Sequence, residues 1–374
     1  MTIYLVVLLL IFYSSRSKYL PAIRVKLGNT HTHIHDSYSN RRLMQIEVAA
    51  FLFIFLLTFR HTYYGYDGIN YLRIFEAIET PSYYIKQLLN FEIANESLFY
   101  LFFSIIKYAN LDLHIAYFIE ALLQLTVVGV LVYKYAKNPW KAFIFYFLYG
   151  FFVFTTTQRQ SMAISFNIIA YLFAKDKKLV KYLTFCFIAI LFHKSAIVFL
   201  PAYWLINIKP SKKLIYIFFV IFFILNIYGF LIFLNTTVFF LGKPPGELNE
   251  NEARGLAYLP IIMFSFFLPL FVKKKYRYNI ENWGLVVAMM LLFPISLHVG
   301  WGARIYFVYR IFLILYLPNT LEYVNKPYKK MFTIITYLYG VAFFYFVQVR
   351  GANVLPYKFF FQYVRSPKYE DWIF

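Results

Sequence analysis

Apolar blocks of about 12 to 22 residues recur along the chain, separated by short links rich in Lys and Arg. No feature constrains the fold more: such a chain has too little polar surface to close around its apolar blocks in water, whereas a bilayer accepts them as helices. Only 14% of residues are charged against 61% hydrophobic, where a soluble domain carries about a quarter charged. The pattern predicts an all-α polytopic integral membrane protein, a single transmembrane domain over residues 1–374. A formal net charge of +20 raises the question of nucleic acid. The cations sit mainly between the apolar blocks, where they set topology and meet membrane lipids, so nucleic acid is rejected as a partner.

Placing each Lys/Arg cluster in the cytoplasm gives one consistent path of about 12 transmembrane helices, at 2–13, 43–60, 113–133, 140–154, 159–174, 180–193, 195–208, 214–234, 257–272, 283–299, 303–321 and 331–348. Several are shorter than the roughly 17 residues a spanning helix needs, which predicts tilted, interfacial or broken helices. The block 2–13 lacks the basic start and cleavage site of a signal peptide and reads as a retained span with its N-terminus outside. Two outer-face loops remain, 61–112 and 235–256. The first carries Asp67, Glu76, Glu79, Glu92 and Glu96 among many aromatics, and its apolar piece 98–108 reads as an interfacial helix or as one more span.

An ionisable group at the middle of a span costs roughly 2.5–3.5 kcal/mol, so each one kept there marks a cavity or a partner. Glu120 lies about two turns into the third span, with Gln124 one turn on along the same face. Arg310 lies about two turns into the eleventh, with Tyr306 one turn outward. Thr157-x-x-Gln160 has the form of a capping box. Arg159 inside it either adds a guanidinium to a positive helix end, making a phosphate-type anion site, or snorkels to headgroups.

Two apolar segments joined by the Lys-rich link 175–181 bring Arg159 and His193 to one outer face, and Arg304 opens the eleventh span from the same side. A single histidine in a turn is more often structural than catalytic. Three guanidinium groups beside a carboxylate-bearing loop, however, suit a diphosphate, and the aromatics among them suit sugar rings. Cys186 is the only cysteine, which excludes a disulfide framework and a thiolate metal site. His31, His33 and His35 with Asp36 alternate as metal ligands would along one edge of a strand, or form a His-rich polar loop.

The order Gly65-Tyr66-Asp67 with Tyr71, Glu96-Ser97-Leu98-Phe99, Arg159-Gln160 with Ala163, Phe192-His193-Lys194-Ser195-Ala196, and Arg304 with Tyr306 and Arg310 resembles the EpsG-type branch of bacterial Wzy-like polysaccharide polymerases over about residues 60–320. The resemblance implies a multi-pass protein of the bacterial cytoplasmic (inner) membrane, of GT-C-like architecture, with its active site facing the periplasm or exterior. It implies a glycosyltransferase that joins oligosaccharide repeat units carried on undecaprenyl diphosphate into O-antigen, capsule or exopolysaccharide. The growing lipid-linked chain is then the donor and a new lipid-linked unit the acceptor, with no cofactor or metal, and with a chain-length regulator and a flippase as partners.

On that resemblance Arg159, Arg304 and Arg310 hold the diphosphate, with Gln160, Tyr71 and Tyr306 in the substrate site. Glu96, then Asp67, then His193 are the candidate bases, and Glu120 orients an arginine through an ion pair. A flippase would also use a cationic cavity, but it predicts midplane charges and a two-fold repeat, and no repeat is visible. A glycan ligase of the same architecture has the same chemical needs.

Overall fold

The computed structural model describes residues 33–61, 67–90, 96–151, 157–241, 257–298, 303–346 and 359–361, with side chains throughout except at 33–41, 228–241, 295–298 and 303–304. Among these residues the chain is helical, and β-pairing is confined to two isolated bridges. The span expected at 2–13, the loop 235–256 beyond residue 241 and His31 lie outside the described residues.

The helices are α1 (His33–Thr58), α2 (Gly68–Ala77), α3 (Pro81–Leu89), α4 (Ser97–Tyr108), α5 (Leu113–Tyr135), α6 (Pro139–Phe145, continued by a π turn at Tyr146–Gly150), α7 (Gln158–Lys175) and α8 (Leu179–Phe192). A 3₁₀ segment (Lys194–Phe199) leads to α9 (Ala202–Leu205), followed by α10 (Lys212–Leu241), α11 (Leu259–Phe267), α12 (Trp283–His298), α13 (Ala303–Arg310), α14 (Leu313–Leu321) and α15 (Lys326–Phe343). One of them, α5, is both long and apolar enough to cross a membrane among the described residues.

Three of the expected spans are broken, two of them at a proline. The block 195–208 is a 3₁₀ turn and a single helical turn around Pro201, which cannot donate a backbone hydrogen bond. The block 303–321 splits at 311–312 into α13 and α14, and α11 passes into a 3₁₀ turn (Leu268–Phe271) at Pro269. The helix expected from residue 43 begins at His33, so His33, His35 and Asp36 are helical. The extended strand that the alternating arrangement assumed is therefore a helix.

The basic links meet at one end of the bundle. The Arg42 guanidinium donates to the carbonyls of Val132, Tyr133 and Ala136 at 2.9, 2.6 and 2.6 Å, closing the C-terminus of α5. The Lys137 N–H donates to Asn319 Oδ1 at 2.8 Å, and its ammonium lies 3.0 Å from the centroid of the Tyr323 ring. Lys175 pairs with Glu281 at 2.7 Å, Lys209 reaches the Ile280 carbonyl at 3.2 Å, and Val272 bridges to Val324. Glu322 accepts from both Lys141 and Lys329, at 2.5 and 2.7 Å. Burial raises the Glu322 carboxyl, but those two ammonium groups outweigh it and hold it down to about 2.

From this basic layer α7 runs back to Arg159, about 27 Å for its 18 residues. The larger apolar core fills the bundle between, while a second cluster around Tyr71, Phe99, Phe103, Tyr117 and Phe192 packs under α2–α4 at the far end.

Candidate active site

At that far end Glu96 stands immediately before α4 with φ 51°, a left-handed conformation uncommon for a side-chain-bearing residue. Its carboxylate is 5% exposed and fully engaged. Oε2 accepts from Arg159 Nη1 at 2.7 Å, and Oε1 accepts from His193 Nδ1 at 2.5 Å and from the Lys194 N–H at 3.3 Å. Burial pushes the Glu96 carboxyl up, but the His193 hydrogen bond and charge, the Arg159 guanidinium and the Lys194 N–H outweigh it and hold it down to about 2. Three segments separated by up to 98 positions in sequence thus meet on one carboxylate.

His193 ends α8 with extended backbone, φ −158° and ψ 118°, which turns its ring toward Glu96. With Nδ1 donating to the carboxylate, a neutral ring carries its lone pair at Nε2. Nε2 is buried and without a hydrogen-bond partner, as is Ser195 Oγ in the following turn.

Arg159 lies in the first turn of α7, where Thr157 takes the N-cap position without making a side-chain cap bond. The capping box is therefore not formed. The Arg159 N–H instead donates to the Tyr71 hydroxyl at 3.4 Å, a long bond supplied from α2. Tyr71 is itself buried edge-on against Phe99 and Phe103, and burial followed by the nearby Asp67 raises its phenol above the ordinary range. Asp67 stands at the N-cap of α2, within electrostatic reach of Tyr71 but making no cap bond.

Gln160 is buried one residue beyond Arg159. Among the described residues Glu120 forms no ion pair with a site arginine: its carboxyl meets the hydroxyl of Ser161 on α7. The arginine whose charge it feels is Arg60, whose guanidinium lies over the Tyr117 ring at 4.5 Å. Arg310 and Tyr306 share a face of α13 that looks toward Tyr258. The Arg310 guanidinium is 3% exposed, lies 4.7 Å from the Tyr258 ring and 4.1 Å from the Phe307 ring, and has Nη1 and Nη2 without hydrogen-bond partners. Its neighbour Tyr309 points to the other side and donates to the Val198 carbonyl at 2.5 Å, tying α13 to the turn that follows His193. The backbone of Arg304 lies in the first turn of α13 and its side chain is outside those described.

Glu96, Arg159 and His193 thus form one cluster, with Tyr71 beside it and Asp67 close by. Glu120 reaches α7 through Ser161, two residues beyond Arg159, and Arg310 with Tyr306 is buried among aromatic rings on α13, without an ion pair to the cluster among the described residues. Sequence reasoning missed Ser161, Arg60, Tyr258 and Phe307. Ser161 carried a usable signal, since it stands one turn beyond Thr157 in a helix expected to be apolar; the aromatic platform carried none in a chain with so many aromatics.

Together these features define a class: an all-helical apolar protein with a buried carboxylate–histidine–arginine centre at one end and a basic layer at the other. The profile of the EpsG family matches residues 45–363, and the chain belongs to that family. Membership supports a membrane location and a polysaccharide-polymerase type of role. Neither a curated protein nor a solved structure matches the chain.

Proposed function

We propose that the protein is a membrane-embedded glycosyltransferase of GT-C-like architecture that polymerises undecaprenyl-diphosphate-linked oligosaccharide repeat units on the outer face of the cytoplasmic membrane. The observation that carries this reading is the Glu96–His193 contact at 2.5 Å, with His193 Nε2 buried and without a hydrogen-bond partner, on the carboxylate that also binds Arg159. The outer-face placement rests on the basic layer at the opposite end, which belongs in the cytoplasm by its charge.

Among the three candidate bases the geometry favours His193. A carboxylate held at about 2 by three donors is a weak proton acceptor, and Glu96 serves better to fix the tautomer and orientation of the ring. In this scheme the acceptor hydroxyl gives its proton to His193 Nε2, and its oxygen bonds to the anomeric carbon of the donor. The bond from that carbon to the diphosphate oxygen breaks, its electron pair leaving with the diphosphate, to which the proton can pass. Arg159, which spends one nitrogen on Glu96, and Arg310, a buried cation with no carboxylate partner among the described residues, stabilise the departing charge. Arg304, in the first turn of α13, is the third guanidinium assigned to the diphosphate, Tyr71 holds Arg159, and Gln160 and Tyr306 belong to the substrate site.

Deleting the gene in its host and resolving surface glycan by gel electrophoresis tests the assignment. Single exported repeat units without long chains are expected. Loss of all export would mark a flippase instead, and unchanged chain length would overturn the enzyme reading.

A further inference from the structure

Glu120 is a buried acid that the scheme above does not use. It is 4% exposed, and no cation lies within ion-pairing distance of it among the described residues; the guanidinium of Arg60 is turned onto the Tyr117 ring instead. A carboxylate so placed is costly, since burial penalises an uncompensated charge by several kcal/mol. Among the described residues it is hydrogen-bonded to Ser161 Oγ, and that hydroxyl lies 3.0 Å from the Gln158 carbonyl as well. A hydroxyl has one hydrogen to give. If Ser161 donates it to the Gln158 carbonyl, the hydrogen between Ser161 and Glu120 comes from the carboxyl, and both acceptors are satisfied with no net charge in the core.

The groups at the two ends of this chain matter for the site. Gln158 is the first residue of α7, directly before Arg159, and Thr157 at the N-cap makes no side-chain cap bond. The turn is held by groups from other elements: the Tyr71 hydroxyl on the Arg159 N–H, and the Glu120 carboxyl through Ser161. On the α5 side Gln124, one turn beyond Glu120, donates to the Tyr146 hydroxyl at 2.8 Å in the π turn that follows α6. This bond anchors the same stretch of α5 in the core.

We infer that Glu120 is a positioning residue: as a neutral acid it donates to Ser161, which holds the first turn of α7 so that Arg159 meets Glu96. The role of that arginine in the reaction rests on the proposed function, whereas the hydrogen-bonded chain does not.

Hydrogen exchange on the purified full-length protein and polymer yield in the complemented deletion strain test the inference together. Glu120→Ala and Ser161→Ala are expected to speed exchange at residues 158–162 and to lower polymer yield about tenfold at equal membrane levels, the scale of one misplaced site group. Glu120→Gln, which keeps a donor and no charge, and Ser161→Thr, which keeps the hydroxyl, are expected to restore both. Equal damage from Glu120→Gln and Glu120→Ala would show that the charge is needed and overturn the inference, as would wild-type exchange in all four variants. If deleting the gene leaves polymer unchanged, the proposed function falls while the exchange measurements still decide the role of Glu120.

Discussion

At the scale of single residues the protein turns on how one carboxylate is shared. Glu96 is held by Arg159 and His193 together, so removing its charge strands a guanidinium and an imidazole in a site where water is largely excluded. Glu96→Gln is expected to destabilise the purified protein by roughly 3 kcal/mol, the usual cost of removing one partner from a buried pair. Thermal unfolding in detergent measures this, and an unchanged midpoint would contradict it. The sign of the pH dependence follows from the carboxyl being held down to about 2. Because the folded value is below the unfolded one, the contribution of Glu96 is fully present above the ordinary carboxylate range and is lost as pH falls toward 2. Wild-type stability should therefore decline over that acid window more steeply than that of the Gln variant. Glu96, Arg159 and His193 were legible in the sequence as charged residues brought to one face. Their pairing was not legible, because contacts across 63 and 97 positions depend on how four helices pack, which no local pattern encodes.

At the scale of elements, hydropathy located the long helices, missed α2 and α3 inside the expected loop 61–112, and misjudged where several spans break. The blocks 113–133, 159–174, 180–193 and 283–299 correspond to α5, α7, α8 and α12 within about two residues at either end, since a long apolar run between basic links leaves little freedom. The break at 201 is marked by Pro201, whereas the split at 311–312 and the π turn at 146–150 leave no mark in hydropathy. Packing is close where α12 crosses the chain near α9. A Cβ on Gly284 would lie 2.0 Å from the Leu205 carbonyl oxygen and 3.1 Å from Ile208 Cβ, contacts with main chain that cannot rotate away. Gly284→Ala is expected to cost about 2 kcal/mol or more and to lower the yield of folded protein. Gly340→Ala, whose Cβ would meet the mobile end of Leu148 at 2.9 Å, should cost less. Fluorescence-detected size exclusion on both variants checks the order, and a tolerated Gly284→Ala with a damaging Gly340→Ala would contradict it.

At the scale of the whole molecule two chemically different ends face each other across an apolar bundle, the links carrying Lys and Arg gathered at one and the Glu96 cluster at the other. If the first is cytoplasmic, a membrane-impermeant thiol reagent applied to intact cells, in a Cys186→Ser background, should label Leu89→Cys and should label Lys178→Cys only after permeabilisation. Both positions are well exposed, at 73% and, for the Lys178 side chain, 53%. Labelling of both from one side would contradict the topology. The gathering of the basic links was fully legible in the sequence, because charge and hydropathy alone decide which segments leave the bilayer together. The setting of Arg310 was legible only as an arginine in an apolar run, since the rings around it are Tyr258, just before α11, and Phe307 of α13 itself. The most direct test of the reaction centre replaces His193 with Gln in the deletion host, at membrane levels equal to wild type. Surface glycan should then consist of single repeat units, whereas polymer of wild-type length would show that the base lies elsewhere.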